Sequence, residues 1–210
     1  MLELLKKGAI MNKIITIGRE FGSGGRELGR RLAEELGFEY YDKEIVTEIS
    51  KHTELSEKYV QQVIESDPHT LFPITVGHTF SFSQNYGIER QQTIYREQCN
   101  VIKTMAERSN CVIVGRCADY ILKEFNPFKI FVYSNMEDKV KRCKERGDSK
   151  EHFSTRQLIR HIKGVDKSRS RYYSFYTGQT WGDKKIYDIC VNTSTMDMER
   201  IVPMLSKMFK

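Results

Sequence analysis

The stretch IITIGREFGSGGREL, Ile14 to Leu28, constrains the fold of this chain more than any other. Ile14-Ile15-Thr16-Ile17 is a β-branched run, and Leu28, Leu32 and Leu36 then recur every four residues until Gly37 supplies a stop, a pattern that predicts strand, loop and helix. Gly22, Ser23, Gly24 and Gly25 therefore sit where a strand hands over to a helix. Such a loop can turn its backbone N–H groups onto phosphate oxygens with no Cβ in the way, and the helix N-terminus adds partial positive charge. The usual phosphate-loop pattern is altered in two places. Gly25-Arg26 occupy the region of its Gly-Lys pair, and Glu27 falls where a Mg²⁺-binding hydroxyl belongs. Arg19 and Arg26 flank the loop and can supply the missing cation, because guanidinium grips phosphate bidentately. Glu20 and Glu27 then need pairing or a metal. A glycine-rich turn without a ligand is the reading that the motif alone leaves open.

The rest of the chain repeats the alternation of short apolar strand and helix. FEYYD (Phe38 to Asp42), the strand within CVIVGRCADYIL, KIFVY (Lys129 to Tyr133) and IYDICV (Ile186 to Val191) bring the expected strands to five. Helices are expected after Asp42, from the cap Ser56 to the Asp67-Pro68 break, through Ile94, Gln98, Val101, Ile102 and Met105, from Asn135 to Gly147, from Ser154 onward, and at the C-terminus through Ile201, Val202, Leu205 and Phe209. Right-handed crossovers between such strands demand a mostly parallel sheet covered by helices on both faces. Residues 68–88 show no sustained period and read as a functional flap. With 210 residues the chain suits one domain, 1–210, in which residues 1–12 read as an N-terminal extension.

Thirty-four Lys+Arg against 28 Asp+Glu give a net charge of +6, which favours anionic partners. Cys99, Cys111, Cys117, Cys143 and Cys190 form no CxxC pair and read as reduced thiols, pointing to the cytoplasm. No stretch approaches a membrane span, so no membrane partner is expected.

The segments ITIGREFGSGGRELGRRLAEELGFEYYDKEI and CVIVGRCADYIL together resemble the cytidylate kinase-like family of P-loop nucleoside monophosphate kinases. The resemblance implies an α/β P-loop NTPase fold: a five-stranded parallel sheet flanked by helices, with an NMP-binding insertion over residues 52–95 and a helical lid over 142–182. It also implies ATP and Mg²⁺ as donor and cofactor, and nucleotides as partners. By position, Gly22, Ser23, Gly24, Gly25, Arg26 and Glu27 fall on the phosphate loop. Asp42 falls on the family's aspartate beside the monophosphate, although Lys43-Glu44 replace the residues that usually follow, and Glu48 stands where an arginine is usual. Gly115-Arg116 match the Gly-Arg that reaches the acceptor, with Cys117 where the family has Asp and Asp119 able to stand in for it. DKSRSR, Asp166 to Arg171, resembles the arginine-rich end of the lid helix, so Arg26, Arg169 and Arg171 are the implied catalytic residues. The metal ligand is left unassigned.

Arg142 and Arg146, like Arg156 and Arg160, share a helix face, which reads equally as a solvated surface. RYYSFYTGQTW (Arg171 to Trp181) either sandwiches a base or guanidinium, or forms a hydrophobic flap or homodimer contact. Asn192-Thr193-Ser194 reads as a helix-capping turn. The leading expectation is ATP-dependent phosphoryl transfer to a nucleoside monophosphate or similar small molecule. The alternatives are a nucleotide-binding regulator without turnover and a nucleic-acid binder; no nucleic-acid module is recognisable, so no nucleic-acid partner is expected.

Overall fold

Short apolar runs buried on both faces build one sheet. In a computed structural model, which describes residues 12–65, 85–146 and 153–209, the strands are β1 (Ile14–Arg19), β2 (Glu39–Tyr41), β3 (Cys111–Val114), β4 (Phe128–Tyr133) and β5 (Ile189–Asn192). They lie in the order β2-β3-β1-β4-β5, and every pairing is parallel. The helices are α1 (Gly25–Leu36), α2 (Glu44–Thr53), α3 (Glu57–Glu65), α4 (Asn85–Arg108), α5 (Ala118–Ile121), α6 (Met136–Arg146), α7 (Thr155–Thr177) and α8 (Met198–Ser206).

Successive side chains of a strand face opposite ways, so the sheet separates two cores. Ile15, Ile17, Val112, Val114, Ile130 and Val132 pack under α1 and α8, against Leu28, Leu32, Ile201 and Leu205. Ile14, Cys111 and Ile113 face the other way, into a core shared with Ile45, Ile49, Val60, Ile102 and Tyr172. α1 ends at Gly37, whose left-handed φ of 66° lets its N–H reach the carbonyls of Ala33 and Glu34. Gly29 lets α1 approach the sheet: a Cβ there would lie 2.9 Å from Val114 and 3.1 Å from Ile17.

The five expected strands and their parallel arrangement are present, with shifted ends. β5 begins at Ile189 rather than Ile186, because the Ile186 N–H turns back to Asp183 O and Tyr187 packs on Phe131 with centroids 4.9 Å apart. Ser56 caps α3 by accepting from the Tyr59 N–H at 3.3 Å, as expected. Residues 1–11 of the expected extension and 68–84 of the expected flap lie outside the described residues; Asn85 to Ile88 already belong to α4.

The largest departure concerns α7. Asp166 to Arg171 was expected near a helix end, yet α7 runs 23 residues on to Thr177, closed by Gly178 at φ 69°. A full capping box between Ser154 and Gln157 starts it. It continues because Leu158, Ile162, Val165, Arg169, Tyr172 and Tyr176 keep a three-to-four spacing and no proline interrupts them. The aromatics of this stretch are therefore mostly core: Tyr172 and Tyr173 are buried, and Tyr176 stacks on Tyr95 with ring centroids 3.7 Å apart.

Candidate active site

The loop between β1 and α1 is held by its carbonyl side. Ser23 Oγ donates to Glu20 O at 2.8 Å, Thr193 Oγ1 to Ser23 O at 2.7 Å, Arg142 Nη1 to Gly22 O at 3.4 Å and Arg169 Nη1 to Arg19 O at 3.3 Å. Gly22 and Gly24 stand at φ 75° and 81°, left-handed conformations that glycine adopts without penalty. Among the described residues, the amides of Gly24, Gly25, Arg26 and Glu27 make no hydrogen bond. With the carbonyls held by side chains, these donors are left unpaired at the helix N-terminus, the arrangement in which helices receive anions.

The charges around the loop are matched in a way that spares the amides. Lys139, only 4% exposed, lies 2.7 Å from Glu20 Oε2 and 3.0 Å from Asp166 Oδ2. Asp166 Oδ1 accepts the Phe21 N–H at 2.6 Å, and Glu20 Oε2 accepts the Ser134 N–H at 3.2 Å. Glu27 has one oxygen on Arg31 at 2.6 Å and the other on Arg146. Burial pushes the Glu27 carboxyl up, but these guanidinium groups outweigh it and hold the pKa below the usual carboxylate range. The pairing that Glu20 and Glu27 require is thus supplied by Lys139, Arg31 and Arg146.

Beside the loop, at the carboxyl ends of β1 and β3, lies a cleft of about 550 Å³ including its mouth, lined by Arg19, Arg116 and Arg169. Ligands of parallel α/β sheets bind at this end of the strands. Burial lowers the pKa of all three guanidinium groups, that of Arg19 to about 9, with Arg169 pushing Arg19 down further and Asp42 opposing. Arginine keeps its proton, so the depression expresses buried positive charge in want of an anion. Asp42, 3% exposed, pairs with Arg26 Nε at 2.5 Å and lies 3.6 Å from Arg19 Nη2, while its Oδ1 and the Arg116 Nε have no hydrogen-bond partner. Gly115, Arg116 and Cys117 stand consecutively at φ 74°, 59° and 55°. A run of left-handed residues is costly outside glycine and persists only where surroundings enforce it. Gln98 enforces it, donating to Arg116 O at 2.9 Å, while Arg116 Nη2 donates to Gln61 Oε1 at 3.0 Å.

The family model described as the cytidylate kinase-like family matches residues 14–195. The chain belongs to the cytidylate kinase-like family. Among solved structures, an uncharacterized protein from Eubacterium ventriosum is similar at TM-score 0.66 and 29% identity, covering 94% of this chain and 98% of that one. A shikimate kinase from Bacteroides thetaiotaomicron gives TM-score 0.57 at 13% identity, covering 94% and 98%. A shikimate kinase from Acinetobacter baumannii in complex with shikimate gives 0.50 at 16%, covering 97% and 96%. These last two likenesses speak for the fold alone, that of P-loop kinases. The comparison with curated proteins returns no match.

Within this cytidylate kinase-like fold, Gly22 to Glu27 make up the loop and the start of α1, with the amides of Gly24 to Glu27 unpaired, and Arg116, Asp119 and Arg169 line the cleft. Arg26 lies apart from them. Its side chain is 54% exposed, covers Asp42 and lines a second, wider hollow with Glu27, Arg30 and Arg146. Arg171 is exposed and, two positions along α7 from Arg169, points to a different face, so the expected arginine pair is split. Asp119 accepts from Tyr173 Oη at 2.6 Å, yet burial holds its pKa above the ordinary 3.8. Glu48 pairs with Lys51 at 2.7 Å on the surface of α2. The five cysteines are free thiols, and no helix among the described residues is long and apolar enough to cross a membrane.

Sequence reasoning gave no role to Lys139, Asp166 or Gln98, and read Thr193 only as part of a turn. Lys139 had one available signal, its place beside Val140 on the helix face that also carries Met136 and Cys143. Asn192 Oδ1 does accept the Ser194 N–H at 3.0 Å, as a capping turn would, but Thr193 also tethers the loop.

Proposed function

We propose that this protein transfers the terminal phosphoryl group of ATP to a small anionic acceptor, a nucleoside monophosphate being the first choice. The observation that carries the reading is the set of unpaired amides of Gly24 to Glu27 at the start of α1, close in the chain to Arg19, which with Arg116 and Arg169 lines a cleft at the ends of β1 and β3. Phosphoryl transfer passes through a loose transition state, so catalysis is chiefly positioning and placement of positive charge. The amides would hold the donor phosphates. Arg116, with its unpartnered Nε, and Arg169 would hold the acceptor's anionic group. An acceptor phosphate is already a nucleophile, so no side-chain base is assigned.

Mg²⁺ supplies charge neutralisation between donor phosphates in such reactions. Glu27 offers it nothing, since both carboxylate oxygens are ion-paired. Asp42 Oδ1, though without a hydrogen bond, lies 3.6 Å from Arg19 Nη2 and its other oxygen is on Arg26, so Asp42 is ion-paired as well and the protein ligand of the ion is left unassigned. Among the described residues no group of three His, Cys, Asp or Glu could hold the ion unaided.

The test is an ADP-release screen over ribo- and deoxynucleoside monophosphates with ATP, with and without Mg²⁺. Mg²⁺-dependent ADP release with one acceptor is expected. ATP binding by calorimetry without release for any acceptor would replace this reading by that of a nucleotide-binding regulator.

A further inference from the structure

We infer that Arg19 has taken over the place of the phosphate-loop lysine, its side chain entering the site from the end of β1 instead of from the start of α1. This rests on the phosphoryl-transfer reading above and names the cation that serves it. Two glycines carry the inference. Gly25 is the first residue of α1, the position from which a side chain would start toward the site. A Cβ there would lie 2.5 Å from Arg19 Cβ, 3.1 Å from Arg19 Cγ and 3.2 Å from Val132 Cβ. Separations under 3.0 Å do not occur between real Cβ atoms and their neighbours, so the channel for a residue-25 side chain is already filled by the Arg19 stem.

The far end of Arg19 has its own space. Its guanidinium lies on Gly115, where an added Cβ would sit 1.7 Å from Nη1 and 2.9 Å from Cζ. Nη2 is 3.6 Å from Asp42 Oδ1, and the side chain is 11% exposed and lines the cleft. One glycine thus clears the stem and another clears the head of the same arginine. Arg26, the second residue of the region of the Gly-Lys pair, does not occupy this channel: its guanidinium lies against Asp42 from outside with a side chain that is 54% exposed. Of the two residues in the region of the Gly-Lys pair, Arg26 points outward, and position 25 carries no side chain because the Arg19 stem already fills the space in front of it.

The exchange can be run backwards. Arg19→Ala should lower phosphoryl transfer by about 100-fold, the loss usual for one charge-stabilising donor, and weaken calorimetric binding of inorganic tripolyphosphate. Gly25→Lys alone should do the same, because two stems compete for one channel. The double variant Arg19→Ala/Gly25→Lys, with the lysine now free to follow the vacated route, should recover tripolyphosphate affinity and turnover to within about tenfold of the parent. Circular dichroism establishes that each variant folds. A folded double variant no better than Arg19→Ala, or an Arg19→Ala protein that binds tripolyphosphate as the parent does, overturns the inference even if the chain proves to be a kinase. If the double variant fails to fold, ethylguanidinium added to Arg19→Ala decides: restored tripolyphosphate binding supports the assignment, and no restoration overturns it. Because tripolyphosphate binding needs no acceptor, the assignment stands or falls independently of whether an acceptor is found.

Discussion

Lys139→Met should loosen the glycine loop without touching a ligand. Lys139 Nζ balances two carboxylates, Glu20 at 2.7 Å and Asp166 at 3.0 Å, and each of these accepts a backbone N–H at the rim of the site, Ser134 and Phe21 respectively. Removing one partner of a buried ionic pair costs about 3–5 kcal/mol because the remaining charge is left uncompensated. Here the Glu20 and Asp166 side chains keep 26% and 17% of their exposure, so water relieves part of the penalty and the lower end, about 3 kcal/mol, is expected. For a chain of this size that corresponds to a fall in melting temperature of roughly 6–12 °C. Thermal melts followed by circular dichroism read it directly. Glu20→Gln and Asp166→Asn added to Lys139→Met should restore more than half of the loss, since both neutral side chains can still accept their backbone N–H groups. A Lys139→Met protein melting within about 2 °C of the parent, or a neutralised triple variant no more stable than the single one, would refute the argument.

Two further outcomes are expected. Burial holds the Asp119 pKa above the ordinary 3.8, so the folded state binds that proton more tightly than the unfolded chain and stability falls as pH rises through this range; Asp119→Asn should therefore melt higher than the parent at neutral pH, an advantage that shrinks to nothing below the ordinary value, and a difference constant in pH would contradict it. Arg116→Ala removes a guanidinium whose Nε is unpartnered in the cleft, and should raise the acceptor KM by about tenfold or more while leaving the ATP Kd within about twofold, as expected for loss of one charge-assisted hydrogen bond; steady-state kinetics and calorimetry separate the two constants.

The sheet and the loop were legible because both depend on local pattern. Ile14 to Ile17, Cys111 to Val114 and Lys129 to Tyr133 announce buried strands, Gly22 and Gly24 mark a backbone in left-handed geometry, and Gly25 marks a position where no side chain fits. The Glu20–Lys139–Asp166 triad is only partly legible: Glu20 beside the loop calls for a partner, but Lys139 and Asp166 are far from it in the chain and nothing local marks them as that partner. Arg142 was read only as one of a shared helix face, yet it donates to Gly22 O and Thr193 O. The continuation of α7 was half-visible: its spacing persists to Tyr176, but the likeness of Asp166 to Arg171 to a lid-helix end drew the boundary too early.

The length of α7 has a mechanical consequence. Asp166 holds the loop at Phe21, Arg169 reaches Arg19 O and the cleft, and Tyr173 holds Asp119, all from one uninterrupted helix. With a rise of about 1.5 Å per residue, these anchors span roughly 10 Å of a single rod. A rod cannot slide at one end only, so whatever pulls on Tyr173 and Asp119 is felt at Phe21 through the same displacement.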